Sequence, residues 1–345
     1  MAKLLVTGGA GFIGSHTCLA LLEAGFSLVV IDNFSNSSPE ALKRVSTLAR
    51  LQLSERLQII EGDIRNLEDL DEAFSISHEK VKAVIHFAGL KSVEESISNP
   101  LSYWDVNVKG TFCLLEAMRR NQCRTIVFSS SATLYGLCET VPISESSLVE
   151  PINPYGNTKA AVETLLADLY SSEPNWRIAS LRYFNPVGAH PSGLIGEAPS
   201  GTPNNLFPYL NQVAIGRRKG FEVFGGDWPT RDGSPVRDFI HVMDLAEGHC
   251  AALKVLLNEE PQMLKVNLGS GQGYSVLEVL KAFEKESGIK VPYEIGERRA
   301  GDVPFSVADP SLAMKRLSWK TKRNLSEMCR DSWLWHQSNP FGYRN

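Results

Sequence analysis

The chain has 345 residues, of which 43% are hydrophobic and 21% charged. That mix supports a sizeable core in one large domain or two ordinary ones, and excludes disordered, collagen-like and mini-protein scaffolds. A net charge of −4 excludes a chain-wide positive field for nucleic acid or an anionic membrane, although a local basic pocket survives such an average.

The first half alternates short apolar or β-branched runs with longer amphipathic stretches. In chain order the pattern predicts strand Lys3–Thr7, helix Phe12–Ala24, strand Ser27–Ile31, helix Pro39–Leu51 and strand Leu57–Ile60. Helix Asn66–Phe74, strand Lys82–Ala88, a helix ending near Arg120, strand Arg124–Ser130, helix Tyr155–Tyr170 and strand Trp176–Tyr183 follow. Strands alternating with helices require parallel crossovers, and continuous apolar runs imply strands buried on both faces. The expected fold class is therefore α/β, a doubly wound parallel sheet, in residues 1–185. From Pro186 to Pro208 there are five prolines, with glycines at 188, 193, 196 and 201, and no regular element is expected. Residues 186–345 read as a smaller α/β lobe that contributes loops to a cleft, with some chain crossing back to the sheet and a last helix near Leu325–His336.

The six cysteines (Cys18, Cys113, Cys123, Cys138, Cys250, Cys329) form no CxxC pair, which fits reduced thiols in a cytoplasmic protein. No run of about 18 apolar residues predicts a membrane span. The N-terminal residues look like a strand entering the fold, not a signal peptide. The seven histidines show no metal-ligand spacing, so no metal is expected.

Thr7-Gly8-Gly9-Ala10-Gly11-Phe12-Ile13-Gly14 follows a strand and opens a helix. Glycines there allow a tight turn and close backbone approach, and the N–H groups of a helix start can receive a pyrophosphate. The second strand ends in Asp32, where a carboxylate can accept from an adenosine ribose and would repel a 2′-phosphate. The expected cofactor is NAD, bound at Gly8, Gly11, Phe12, Ile13, Gly14 and Asp32.

A serine-rich strand end, Ser129-Ser130-Ser131, precedes Tyr155-Gly156-Asn157-Thr158-Lys159 at the head of a helix. Tyr155 and Lys159 are four residues apart and share a helix face. A free phenol titrates near 10. A nearby ammonium and a cationic nicotinamide are expected to favour its phenolate, making Tyr155 a general base while Ser131 bonds the reacting oxygen. Such a trio fits oxidation of a secondary alcohol.

TGGAGFIG, SSSAT, YGNTK and RYFNPVG, with EGDIR (61–65), HFAGLKSVEES (86–96), GTPNNLFPY (201–209), VRDFIHVMDLA (236–246) and RRAGDVPFSVAD (298–309), resemble the extended short-chain dehydrogenase/reductase family. Within it they are similar to the branch that epimerises UDP-hexoses at C4, from Lys3 to about Asp309. The resemblance implies that Asn33, Asn36 and Ser37 join Asp32 at the adenosine ribose and its phosphate, and that Asp63 and Ile64 meet the adenine. It places Phe87, Ala88, Lys91, Lys159 and Tyr183 along the rest of the cofactor. On the substrate side it implies Lys91, Ser131, Tyr155, Asn185, Asn205, Leu206, Phe224, Arg237, Arg299, Asp302 and Ser306. Arginines suit a diphosphate and Asp302 suits ribose hydroxyls, while His241 and Asp244 read as structural. The implied reaction interconverts UDP-galactose and UDP-glucose through a 4-keto sugar that turns over between hydride removal and return, with NAD tightly bound. A homodimer built on helices near 102–120 and 155–170 is implied as well.

Two residues depart from the family pattern. Val106 stands where some members carry a second asparagine before Asn107. Ser306 lies where members carry either a bulky tyrosine or a small residue bounding the sugar, so room for a 2-acetamido group, and activity on UDP-N-acetylhexosamines, is expected. Other nucleotide-sugar enzymes of the family, a dehydratase or a dehydrogenase, are the nearest alternative. A dehydratase would place an acidic pair where Ala132-Thr133 stands. An NAD-binding regulator without catalysis would not need Ser131, Tyr155 and Lys159.

Overall fold

The structure is a computed structural model that describes residues 2–51, 56–76, 79–138, 140–199, 201, 203, 205–299 and 302–344. Thr202, Asn204, Ala300 and Gly301 of the quoted motifs lie outside the described residues. The first half runs β1 (Lys3–Thr7), α1 (Phe12–Glu23), β2 (Ser27–Asp32), α2 (Pro39–Leu48), β3 (Leu57–Glu61), α3 (Leu67–Ser75) and β4 (Val81–His86). It continues through α4 (Val93–Ser98), α5 (Pro100–Tyr103), a π-helical turn at Trp104–Lys109, α6 (Gly110–Arg120), β5 (Thr125–Ser131), α7 (Pro154–Ser172) and β6 (Arg177–Tyr183).

Local chemistry sets these helix starts. The side chains of Ser38, Asn66 and Ser92 accept backbone N–H groups at the heads of α2, α3 and α4. At α7, Asn153 accepts from the Gly156 N–H and Pro154 occupies the first helical position. That cap fixes where Tyr155 begins the helix.

The second half comprises β7 (Asn185–Val187), α8 (Leu206–Ala214), β8 (Phe221–Phe224), β9 (Val236–His241), α9 (Val242–Asn258) and β10 (Met263–Leu268). After these come β11 (Gly273–Ser275), α10 (Val276–Ser287), β12 (Tyr293–Gly296), β13 (Phe305–Ser306), α11 (Ser311–Leu317) and α12 (Leu325–Ser338). Seven strands form one sheet in the order β10-β6-β5-β4-β1-β2-β3, and every pairing in it is parallel. This is the doubly wound α/β arrangement. A smaller sheet places β9 between β11 and β13 and also pairs it with β7, and β8 pairs with β12.

Alternate residues of β1 feed opposite cores, as a period of two demands. Leu4 and Val6 pack with Leu19, Leu22, Leu245 and Leu253 on one face, and Leu5 with Leu114, Met118, Ile126 and Leu166 on the other.

Most element bounds shift by one or two residues from the sequence expectation, and three differences have a local physical reason. β4 stops at His86, because the N–H groups of Phe87 and Ala88 both donate to the Thr7 carbonyl, 3.0 and 3.1 Å away, and the chain leaves the ladder. α2 stops at Leu48, with Arg50 beyond it at φ +55°. Asn185–Val187 is a short strand against β9 and not part of an irregular stretch; three residues carry too little alternation to be read.

Candidate active site

The strands of the main sheet are parallel, so Thr7, Asp32, His86, Ser131 and Tyr183 all end at one edge. β1 lies between β2 and β4, and the opposed crossovers open a crevice there, the usual ligand position in open α/β sheets.

The glycine loop closes that crevice. Gly8 has φ +69°, and a Cβ there would lie 2.6 Å from the Ala88 nitrogen. A Cβ on Gly14 would lie 2.3 Å from the Gly8 carbonyl oxygen. Only glycine permits this approach of α1 to the strand ends. Gly11 is the N-cap of α1 and no side chain caps the helix, so the N–H groups around Phe12 and Ile13 point to an anion site. Buried Asp32 accepts from the Ala10 N–H at 2.9 Å, the Phe34 N–H at 3.0 Å and Ser37 Oγ at 2.8 Å. One carboxylate thus ties the glycine loop to the turn after β2. Exposed Asn33 donates to Asp63 at 3.0 Å, and Arg65 holds the Asp63 carboxyl well below the usual carboxylate range. Ile64 is buried and packs beneath Gly110. These features fit a dinucleotide that is negatively charged at the loop and carries a ribose at Asp32.

Ser131 ends β5 and Tyr155 lies in the first turn of α7, close enough for the serine to act on the phenol. Thr133 Oγ1 donates to Ser131 Oγ at 2.9 Å. Lys159, one turn below Tyr155, is buried, and its Nζ donates to the Ser129 carbonyl at 2.7 Å. Burial pulls this lysine down to about 8, with Glu163 opposing.

The phenol departs from expectation. Burial pushes Tyr155 up to about 12, and Ser131 opposes it. The reason is geometric: the Lys159 ammonium is aimed at Ser129 and sits 5.8 Å from the Tyr155 ring centre. Tyr183 is buried, its hydroxyl bonded to Ser129 Oγ.

Behind this face lies a polar network that sequence reading missed. Glu163, one turn after Lys159, accepts from Ser130 Oγ at 2.6 Å and from both Arg182 Nε at 3.0 Å and Nη2 at 2.6 Å. Arg182 reaches Tyr135, which donates to Asn267 of β10 at 2.6 Å. A charged residue on the apolar face of a helix, at i+4 from a lysine, was the available signal. Asn107 lies in the π-helical turn. It bonds both Leu90 backbone groups, N–H at 2.7 Å and C=O at 3.0 Å, and donates to Thr158 at 3.0 Å. π-Turns inside helices concentrate at functional sites. Val106 is half-buried beside it.

On the substrate side β9 gathers three expected residues. Asn185 pairs with Phe239, Ser306 pairs with Arg237, and Arg237 lies on β9 itself. Arg237 and Arg299 converge on Asp302 at 3.5 and 3.0 Å, and Arg299 lies 5.3 Å from the Phe224 ring centre. Lys91 and Asn205 meet elsewhere, at Glu197, a residue within the proline- and glycine-rich stretch that no periodicity marks. Leu206 heads α8. His241 pairs with Asp331 at 3.2 Å, and Asp244 binds the Lys322 and Arg323 backbone. Among the described residues no group of three or more metal-ligating side chains forms, and no helix is long and apolar enough to cross a membrane.

The family profile described as GDP-mannose 4,6 dehydratase matches residues 5–332. The chain is 53% identical to the UDP-glucose 4-epimerase of Bacillus subtilis, over 99% of each protein. Among solved structures, the Stenotrophomonas maltophila UDP-glucose 4-epimerase with NAD and formylated UDP-arabinopyranose has a TM-score of 0.94 at 45% identity, over 99% of both chains. The Bifidobacterium longum UDP-glucose 4-epimerase in complex with NAD+ and UDP also has a TM-score of 0.94, at 44% identity over 99% of this chain and 100% of that one.

Proposed function

The chain belongs to the UDP-glucose 4-epimerases, within the extended short-chain dehydrogenase/reductase family, and on that premise we propose how its own residues perform the NAD-dependent interconversion of UDP-galactose and UDP-glucose. The observation that carries the reading is the placement of Ser131 at the end of β5 beside Tyr155 in the first turn of α7, with the buried Lys159 ammonium one turn below. NAD, when bound, supplies the acceptor that takes the C4 hydride and gives it back, and the positive charge that lowers a nearby phenol.

Tyr155 takes the C4 hydroxyl proton and later returns it, while Ser131 holds the oxygen. Lys159 orients the cofactor ribose and keeps positive charge near the phenol. The backbone at Gly8, Gly11, Phe12, Ile13 and Gly14 binds the pyrophosphate. Asp32, Asn33, Asn36, Ser37, Asp63 and Ile64 frame the adenosine, and Phe87, Ala88, Lys91 and Tyr183 line the remainder. Arg237 and Arg299 neutralise the substrate diphosphate, Asp302 accepts from ribose hydroxyls, and Phe224, Asn185, Asn205 and Leu206 complete the nucleotide grip. Inversion requires firm hold of UDP and a weak hold on the hexose, so that the 4-keto sugar can present either face.

We further propose that residues 1–185 form the cofactor domain and 186–345 the substrate lobe, with some of the second half, β10 among it, crossing back to the main sheet. Exposed Ile97, Leu101 and Phe112 on α4–α6 support a homodimer through that face. Six cysteines without a disulfide partner support a cytoplasmic setting.

Ser306 is half-buried beside Arg237, and its small side chain supports acceptance of a 2-acetamido group. Purified protein mixed separately with UDP-galactose and UDP-N-acetylgalactosamine, without added NAD, is expected to epimerise both. Turnover of UDP-galactose alone rejects the Ser306 assignment. Net accumulation of NADH with either sugar would mark a dehydrogenase and reject the epimerase mechanism.

A further inference from the structure

Lys91 and Asn205 come from distant loops, yet both donate to one atom, Glu197 Oε1, at 2.8 and 3.1 Å. Glu197 is buried, its side chain 7% exposed against 48% for Lys91. A carboxylate at such a position is fixed by its surroundings, whereas a long, exposed lysine takes its direction from what it bonds.

The loop that carries Glu197 is gripped from the opposite side by the C-terminal segment. Trp335 Nε1 donates to the Glu197 carbonyl at 3.0 Å. The Tyr343 hydroxyl accepts from the Gly196 N–H at 3.1 Å and bonds the Gly196 carbonyl at 3.2 Å. Asn339 Nδ2 donates to the Gly193 carbonyl at 2.9 Å. A Cβ on Gly196 would lie 2.3 Å from the Trp335 ring, so the indole lies flat on backbone. Arg44 of α2 adds bonds to the Leu194 carbonyl at 3.2 Å and to Asn339 at 2.7 Å. The loop therefore has two faces, one anchored by the tail and one presenting a single carboxylate oxygen to two donors.

We infer that Glu197 is a positioning residue for the epimerase reaction: it aims Lys91 and Asn205 at the UDP-sugar. The inference rests on the placement of those two residues at the nucleotide proposed above. Coulomb's law gives Glu197 a second, opposite effect, because a carboxylate near a diphosphate repels it. Loss of its charge therefore leaves UDP affinity undiminished while turnover falls. A residue that merely shaped the pocket would weaken binding instead.

The test is a double-mutant cycle on the NAD-containing enzyme with Glu197→Gln, Lys91→Met and the pair, read as kcat and KM for UDP-galactose and as UDP affinity by calorimetry. For E197Q, kcat is expected to fall about tenfold, a loss of about 1.4 kcal/mol in transition-state stabilisation, with UDP binding no weaker. For K91M, kcat falls comparably and UDP binding weakens. In the K91M background, E197Q is expected to change kcat by less than about twofold. An E197Q enzyme with unchanged kcat, or with weakened UDP binding whatever its kcat, overturns the inference. So does an undiminished E197Q effect in the K91M background. K91M without any effect overturns the placement of Lys91 at the nucleotide, and the inference with it, while leaving the epimerase reading intact. Should E197Q fail to fold, the pair carries the test, since it leaves no lone charge: it is expected to match K91M in both readouts, and a further tenfold loss overturns the inference.

Discussion

The two walls of the cleft are built on different principles. Behind Tyr155 and Lys159, the Arg182–Glu163 ion pair is almost sealed, with side chains 2% and 4% exposed, and it is tied into Ser130, Tyr135 and Asn267. Opposite, Arg299 meets Asp302 with 50% of its side chain in solvent, and Arg237 reaches the same carboxylate at 3.5 Å. The first wall is preorganised, which suits a proton transfer that must recur with the same geometry in both directions. In the second, the half-exposed Arg299 can trade its partner, which suits a ligand that must bind and leave.

Three comparisons sharpen or break this contrast, taken from the largest effect to the smallest. Tyr155→Phe removes the proton-transferring oxygen and is expected to lower kcat by about 10²–10⁴-fold. UDP affinity, measured by calorimetry, should stay at the wild-type value; turnover within a few-fold of wild type would show that another group takes the proton. Glu163→Ala strands Arg182 in the interior and is expected to cost about 3–5 kcal/mol in urea unfolding. Arg299→Ala in the same assay should cost less than about 1 kcal/mol while weakening UDP binding. Equal losses of stability from the two would erase the contrast between the walls.

The third concerns pH. Burial holds Lys159 near 8 in the folded chain against 10.5 for a free lysine. Between those values the unfolded chain binds more protons, so native stability rises with pH across that window. Relative to Lys159→Met, the wild type should gain stability from pH 8 to 10.5. Parallel unfolding curves for the two proteins would show that Lys159 is not desolvated.

Legibility of the sequence followed locality. The alternation of strands and helices, the glycine loop after β1 and the helix that carries Tyr155 and Lys159 each lie within a short window governed by period, turn chemistry or helix spacing, and the parallel sheet forms as expected. What was not legible depends on distant partners. Glu197 gains its meaning from Lys91, more than a hundred residues earlier, and from the tail at Trp335 and Tyr343. The Tyr155 phenol is raised by burial, and the Lys159 ammonium takes the Ser129 carbonyl as its acceptor; spacing along a helix contains neither fact. Asn185–Val187 pairs with a strand some fifty residues later, so its own composition gave no notice of it.

The position of β10 in the sheet has a further consequence. This strand, residues 263–268, lies along β6 and closes that flank of the sheet. During synthesis β6 emerges some eighty residues before its neighbour, so its backbone donors and acceptors form an open edge for that interval. A chain cut after residue 185 would keep that edge permanently, and is expected to aggregate instead of yielding a free-standing nucleotide-binding module. The late strand makes completion of the sheet a timekeeper for the whole molecule, since the first half cannot mature until three quarters of the protein has been made.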